Sequence, residues 1–280
     1  MEVGTPAHVP VLRSMRALLV AFGVLTLLAV AALFVRPDAT DRFFAWTIKP
    51  PLTAAFLGAA YAAGCTLVVL SLRASAWVHA RASIVTILVF TVLTLYATLA
   101  HLDRFHLAVD DAFARAAAWF WLGVYVVVPI VLVLLLVLQA RAPGTHPARE
   151  RPLPRWLAAA LAVQCAVMLV VGGLLFIRPG LLASWPWALT PLTSRAVGAW
   201  LISFGVAAGA ALVENDLTRL RASAIAYLVF AVAELAALLR FAGDLRWGAA
   251  AWTYLGFLVV VAATAAAGVL LSRSAAPTYA

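Results

Sequence analysis

The sequence predicts an all-α integral membrane bundle of eight transmembrane helices arranged as two parallel four-helix repeats. Three observations predict it. The chain is 66% hydrophobic and 11% charged, with a mean hydropathy of +1.05, far from the balance of a water-soluble domain. Apolar runs close to the twenty or so residues needed to cross a hydrocarbon core recur along almost its whole length. The second half also repeats landmarks of the first at a nearly constant distance.

Eight runs are expected to span, approximately Ala17 to Val35, Leu52 to Leu72, Ser83 to Ala100, Ala116 to Leu138, Trp156 to Ile177, Ala196 to Val213, Ala222 to Leu239 and Ala249 to Leu271. They read as helices because a bilayer hydrates no backbone, and because a barrel strand would alternate polar with apolar residues where these runs are continuous. Arg13 and Arg16 ahead of an apolar run ending in Ala29-Val30-Ala31 imitate a cleavable signal. Phe34-Val35-Arg36-Pro37 closes that run, however, as Phe176-Ile177-Arg178-Pro179 closes the fifth, which assigns the first run to the repeating unit. In both, proline ends the helix and arginine leaves a cation at the interface.

Further matches lie 140 residues apart. Pro51-Leu52-Thr53 with Gly58 answers Pro191-Leu192-Thr193 with Gly198, Arg81-Ala82-Ser83 answers Arg221-Ala222-Ser223, and Leu88-Val89-Phe90 answers Leu228-Val229-Phe230. Ala118-Trp119 and Leu122-Gly123 answer Ala251-Trp252 and Leu255-Gly256 at a spacing of 133, so the first copy has seven extra residues in its third loop. Residues 1–140 and 156–280 are the expected repeats, joined by a basic, proline-rich connector, 141–155. Four crossings per copy make the repeats parallel.

Nineteen of the twenty basic residues are Arg, in an Ala-rich chain, a bias that suggests a GC-rich bacterial genome. A net charge of +9 would suit nucleic acid only if clustered on one solvated face, and these residues are dispersed between apolar runs. No nucleic-acid partner is expected; membrane lipids are, together with a partner membrane protein or a second copy of the chain. On the side holding both termini, eleven Arg face four acids, for +7; on the other, nine basic residues face six acids, for +3. The positive-inside rule therefore puts both termini in the cytoplasm, in the plasma membrane. Seven of ten Trp (46, 119, 121, 185, 187, 247 and 252) fall at the opposite side and read as an interfacial belt.

Glu234 is the one acid within an expected span, and a carboxylate in lipid is a functional candidate. Arg195 is its expected partner: the positions matching this pair are Thr94 and Ala55, so the copies hold both charges or neither, as a buried ion pair requires. In the third loop Asp103, His106 and Asp110 would share a face if the loop were helical, with Asp111 adjacent, a possible metal or outer-loop site without diagnostic spacing. No bound metal and no cofactor is expected. His8, His79 and His146 lie outside the spans and offer no opposed pair for a haem, and Cys65 and Cys165 read as packing residues. Gly205 and Gly209 form a G-x-x-x-G read as packing within the bundle.

The segment from Trp185 through Pro186, Trp187, Thr190, Pro191, Leu192 and Thr193 to Arg195 resembles one carried by uncharacterised bacterial multi-pass membrane proteins. That resemblance covers about the second repeat and implies no activity; the first repeat departs from it, with Ala45-Trp46-Thr47 and no Arg at position 55. No nucleophile elbow, phosphate-binding loop or zinc-protease motif stands in a solvated segment. The expected function is a non-enzymatic structural or accessory membrane component. The alternative is a small-molecule or proton-coupled transporter using Glu234, and a third reading is a lipid-acting enzyme using the Asp103–Asp111 loop.

Overall fold

A computed structural model describes residues 8–180 and 184–273; Glu2, counted in the charge balance above, lies outside them. Eight helices are long and apolar enough to cross a membrane, and the chain is a multi-pass membrane protein. They are α1 (Arg13–Val30), α2 (Pro51–Leu72), α3 (Arg81–Leu99), α4 (Ala112–Ala140), α5 (Arg155–Ile177), α6 (Pro191–Glu214), α7 (Leu217–Arg240) and α8 (Ala249–Arg273). Among the described residues there is no strand, only isolated bridges.

Local chemistry sets the ends. A π-helical turn, Ala31–Val35, continues α1 and stops ahead of Pro37; α5 stops at Ile177, ahead of Pro179. Proline opens both α2 and α6, where its missing N–H costs nothing. Thr190 caps α6 in a reciprocal pair of hydrogen bonds with Thr193. Asp111 caps α4 through the amides of Phe113 and Ala114, both at 2.9 Å, which is why that helix begins earlier than hydropathy alone suggests.

The packing departs from chain order in the middle of each half. α2 and α6 form the centre, 72% and 67% buried along their spans, whereas α1, α4, α5 and α8 face outward, none above 33%. Between the halves, α2 packs along α7 and α3 along α6; within a half, α2 barely touches α3, and α6 barely touches α7. The described residues of the two halves therefore interlock through one shared core containing Phe56, Tyr61, Phe90, Trp200, Phe204 and Phe230. Smaller cores close each half separately at the face carrying the described chain ends.

Because lipid is as apolar as a leucine side chain, helices in a bilayer associate by close approach rather than by escape from water. The glycines supply that approach. A Cβ on Gly58 would stand 2.6 Å from the backbone nitrogen of Phe34, where α2 crosses the end of the first span, and a Cβ on Gly198 would stand 2.9 Å from that of Phe176, where α6 crosses α5. Gly205 abuts Leu169 and Gly209 abuts Cys165, so the G-x-x-x-G packs α6 on α5 inside the bundle.

At the face of the chain ends, Glu214 bridges Arg81 of the first half and Arg219, the latter pair at 2.8 Å with both side chains under 9% exposed. Asn215 takes the left-handed conformation between α6 and α7, and its Oδ1 accepts from the amide of Leu153. Asp216 accepts from the amide of Glu150 at 2.5 Å, and Arg219 donates to the Pro147 carbonyl. The basic connector is thus strapped to the α6–α7 turn, not free.

Replacing Gly58 or Gly198 by alanine forces backbone apart and is expected to cost about 1–3 kcal/mol, read as a lower melting temperature in detergent. Gly123→Ala and Gly256→Ala, where a Cβ meets nothing within 4 Å, are the controls and should be neutral or slightly stabilising.

Candidate functional site: a lateral cleft in the first half

A cleft of about 850 Å³ is walled by α1, α2, α3 and α4, with Trp200 of α6 at its back. Its origin is the divergence of α1 from α4. At one end they are tied: Gln139 accepts from the amide of Leu12 and donates to the Pro10 carbonyl, while Met15 and Leu19 share a core with Leu132 and Leu135. Pro129, which cannot donate to the carbonyl of Tyr125, interrupts the α4 hydrogen-bond ladder at the base of the cleft. Beyond it the lining passes to Phe113, Ala117, Phe120 and Trp121 of α4 and to Leu28, Ala29, Ala32 and Val35 of the first span. Leu28, Val35, Phe113 and Phe120 are each more than half exposed, so the opening faces sideways, toward lipid.

The second half is filled where the first is open. Ala45 and Gly64 border the cleft; at the positions 140 residues on stand Trp185 and Phe204, both buried. The buried face of α4 includes Leu132 and Leu135; 133 residues on, α8 has Ala265 and Gly268. A Cβ on Gly268 would already lie 3.2 Å from that of Ala224, which is how closely α8 approaches α7, whereas the leucines hold α4 off α3. Where Tyr254 reaches Glu234 in the second half, the matching Trp121 donates to Thr98 in the first.

The cleft is a hydrocarbon surface. Its hydroxyls are already engaged: Tyr61 and Tyr125 bond one another at 2.7 Å, and Thr26, Thr86 and Thr91 bond carbonyls of their own helices. Phe90 and Trp200 stack at 3.9 Å between centroids, with Tyr61 edge-on to both.

The residues singled out from sequence lie elsewhere, and the structure does not join Glu234 to Arg195. Glu234 is wholly buried and accepts from the Tyr254 hydroxyl at 2.9 Å, while its second oxygen has no partner among the described residues. The indoles of Trp185 and Trp187 pack on the Tyr254 ring, 5.5 Å away in each case. Arg195 donates instead to the Phe176 carbonyl and to His101 Nε2, and its guanidinium lies over the ring of Tyr96. The reason is the crossed packing: α6 turns Arg195 toward α5 and α3, whereas α7 turns Glu234 toward α8.

Nor do Asp103, His106 and Asp110 converge. Only Leu102–Arg104 is helical, as one 3₁₀ turn, and Phe105 is extended. Exposed Asp103 pairs with Arg104 at 3.0 Å, and Asp110 is exposed. His106 is buried the other way, donating from Nδ1 to the Phe44 carbonyl and accepting at Nε2 from Thr47. Among the described residues no cluster of three His, Cys, Asp or Glu side chains is disposed to hold a metal ion. The tryptophan belt is corrected as well: Trp119, Trp247 and Trp252 are exposed, but Trp46, Trp185 and Trp187 are core residues, and Trp187 donates to Thr53 across the halves.

Comparison with protein-family models, curated proteins and solved structures finds no match to the chain.

Burial, and next the Arg195 guanidinium, hold the His101 imidazole below its ordinary value of 6.5. The unfolded chain therefore binds this proton at a higher pH than the folded one does, and stability falls as pH drops below about 6.5. His79 is shifted the same way, burial first. Melting in detergent at pH 7.5 and 5.5 should show an acid loss that is smaller in His101→Gln; an undiminished loss would contradict a depressed His101 imidazole.

Proposed function

We propose that the protein is a non-enzymatic membrane component, structural or accessory in role, that holds a lipidic molecule in the cleft between α1 and α4. The observation that carries this reading is a cavity of about 850 Å³ with aliphatic and aromatic walls opening sideways into the bilayer. Cavities of this size accommodate small organic ligands. Membrane lipids are its partners on this reading; a second membrane protein or a second copy of the chain is the rival occupant of the exposed apolar faces. The charge balance supports a bacterial plasma membrane with both termini in the cytoplasm, which turns the wide end of the cleft outward. The two four-helix segments read as parallel repeats, supported by the like approaches of Gly58 to Phe34 and Gly198 to Phe176.

A proton-coupled transporter is the second reading, favoured by the unpartnered buried oxygen of Glu234. It requires that Glu234→Gln abolish proton-driven flux in vesicles while the melting temperature holds.

Native mass spectrometry of protein gently extracted from its own membrane tests the first reading. Wild type should carry a lipid mass that Ala117→Trp or Ala29→Trp, either of which narrows the cleft, fails to retain at unchanged melting temperature. Equal retention by wild type and both variants would overturn it; a stoichiometric protein partner in place of lipid would overturn the lipid assignment and point to an accessory subunit.

A further inference from the structure

Within the reading that the cleft binds lipid, and resting on it, the charge pattern selects a class of lipid. Of all the side chains lining the cavity, one is charged: Arg36, at the wide end, beyond Val35 and against Phe43. It is exposed and has no ion-pair partner among the described residues. Its guanidinium lies 5.7 Å from the centroid of the Phe43 ring, and Arg42 lies 5.4 Å from the same ring. Two cations thus approach one aromatic ring at the mouth, and a guanidinium held over a ring keeps its N–H donors available to an anion.

No nearby acid forms an ion pair with Arg36 among the described residues. Asp38 and Asp41 are exposed and unpaired among the described residues. Asp111 sits within electrostatic range of Arg42, and its carboxylate is engaged on the first turn of α4, which holds it below the usual carboxylate range.

Length agrees with the charge. Lining residues on the first span run from Phe22 to Arg36, about 20 Å at the helical rise of about 1.5 Å per residue. One leaflet of a hydrocarbon core about 30 Å thick is about 15 Å deep, so a chain hung from Arg36 is housed along its whole length. Because the hydroxyls of Tyr61, Tyr125, Thr26, Thr86 and Thr91 are engaged within the protein, the depth of the cleft rewards hydrocarbon and no polar group. Among the lining residues, the bonding capacity left over is concentrated at the rim, in the Arg36 guanidinium.

We infer that the cleft takes an acyl chain of an anionic lipid from the leaflet opposite the chain ends, with the headgroup phosphate or carboxylate held by Arg36. A guanidinium meets either anion through paired N–H donors, whereas lysine would meet it as a point charge.

The test uses the purified full-length chain, delipidated in detergent and presented with phosphatidylglycerol, oleate and dioleoylglycerol, which has acyl chains but no headgroup anion, in separate titrations read by native mass spectrometry. Wild type should retain phosphatidylglycerol, oleate or both about tenfold more strongly than dioleoylglycerol, and which of the two it prefers separates phosphate from carboxylate. Arg36→Gln should lose that preference and Arg36→Lys should keep part of it, with melting temperatures confirming that each variant folds. No preference in wild type, or a preference that survives Arg36→Gln, overturns the headgroup assignment. Equal retention of all three that disappears in Ala117→Trp would overturn the assignment yet leave the cleft standing as a lipid site. Retention indifferent to Ala117→Trp would remove both.

Discussion

The close crossing of α2 with α7 and of α3 with α6 is the constraint from which the rest of the architecture follows. Two Ala-rich helices, α2 and α6, occupy the centre, and short side chains let their neighbours come near enough for dispersion to replace the hydrophobic drive that a bilayer does not supply. Once each central helix is committed to a partner from the other half, the two middle helices of each half are held apart, α2 from α3 and α6 from α7. That separation places Arg195 and Glu234 on different surfaces and gives each a local partner, His101 for one and Tyr254 for the other. It also makes the connector useful: strapped by Asn215, Asp216 and Arg219, it fixes where the second half enters the bundle.

On this scaffold a few side-chain volumes decide whether a half is closed or open. Trp185, Phe204, Ala265 and Gly268 fill one half and draw its last helix inward, whereas Ala45, Gly64, Leu132 and Leu135 at the matching positions leave a gap near one face and prop the helix apart near the other. Beyond Pro129 and the π-helical turn Ala31–Val35, the cleft needs only missing volume lined by groups that already satisfy one another. Interiors that cannot collapse around such a gap forfeit contacts on every side of it, and hydrocarbon from the bilayer is the material at hand to restore them.

Much of the fold was legible in the sequence because each signal had a local cause. Apolar length marks spans, Arg36-Pro37 and Arg178-Pro179 mark their ends, and Gly58 and Gly198 mark crossings that admit no Cβ. What was not legible depends on which surfaces meet. The joint presence of Arg195 and Glu234 in one copy is a true feature of the sequence, but co-occurrence carries no direction, and the helices that bear them turn away from each other. Trp185 and Trp187 fall between spans, where indoles commonly float at the interface, yet a fold-back of that segment sinks them onto Tyr254. The third loop fails as a metal site because one 3₁₀ turn, not a helix, spaces Asp103 from His106. The signal for the cleft, small residues opposite Trp and Phe at a spacing of 140, stood in the sequence; its meaning required knowing that those positions border α1 and α4.

The most direct measurement is a crystal structure grown from a lipidic mesophase doped with phosphatidylglycerol brominated along its acyl chains, with the bromines located by anomalous scattering. Bromine peaks between α1 and α4, with headgroup density at Arg36, are the expected result. Apposed α1 and α4 outer ends, with Leu28 against Phe120 and bromine confined to the outer surface of the bundle, would contradict a lipid-holding cleft.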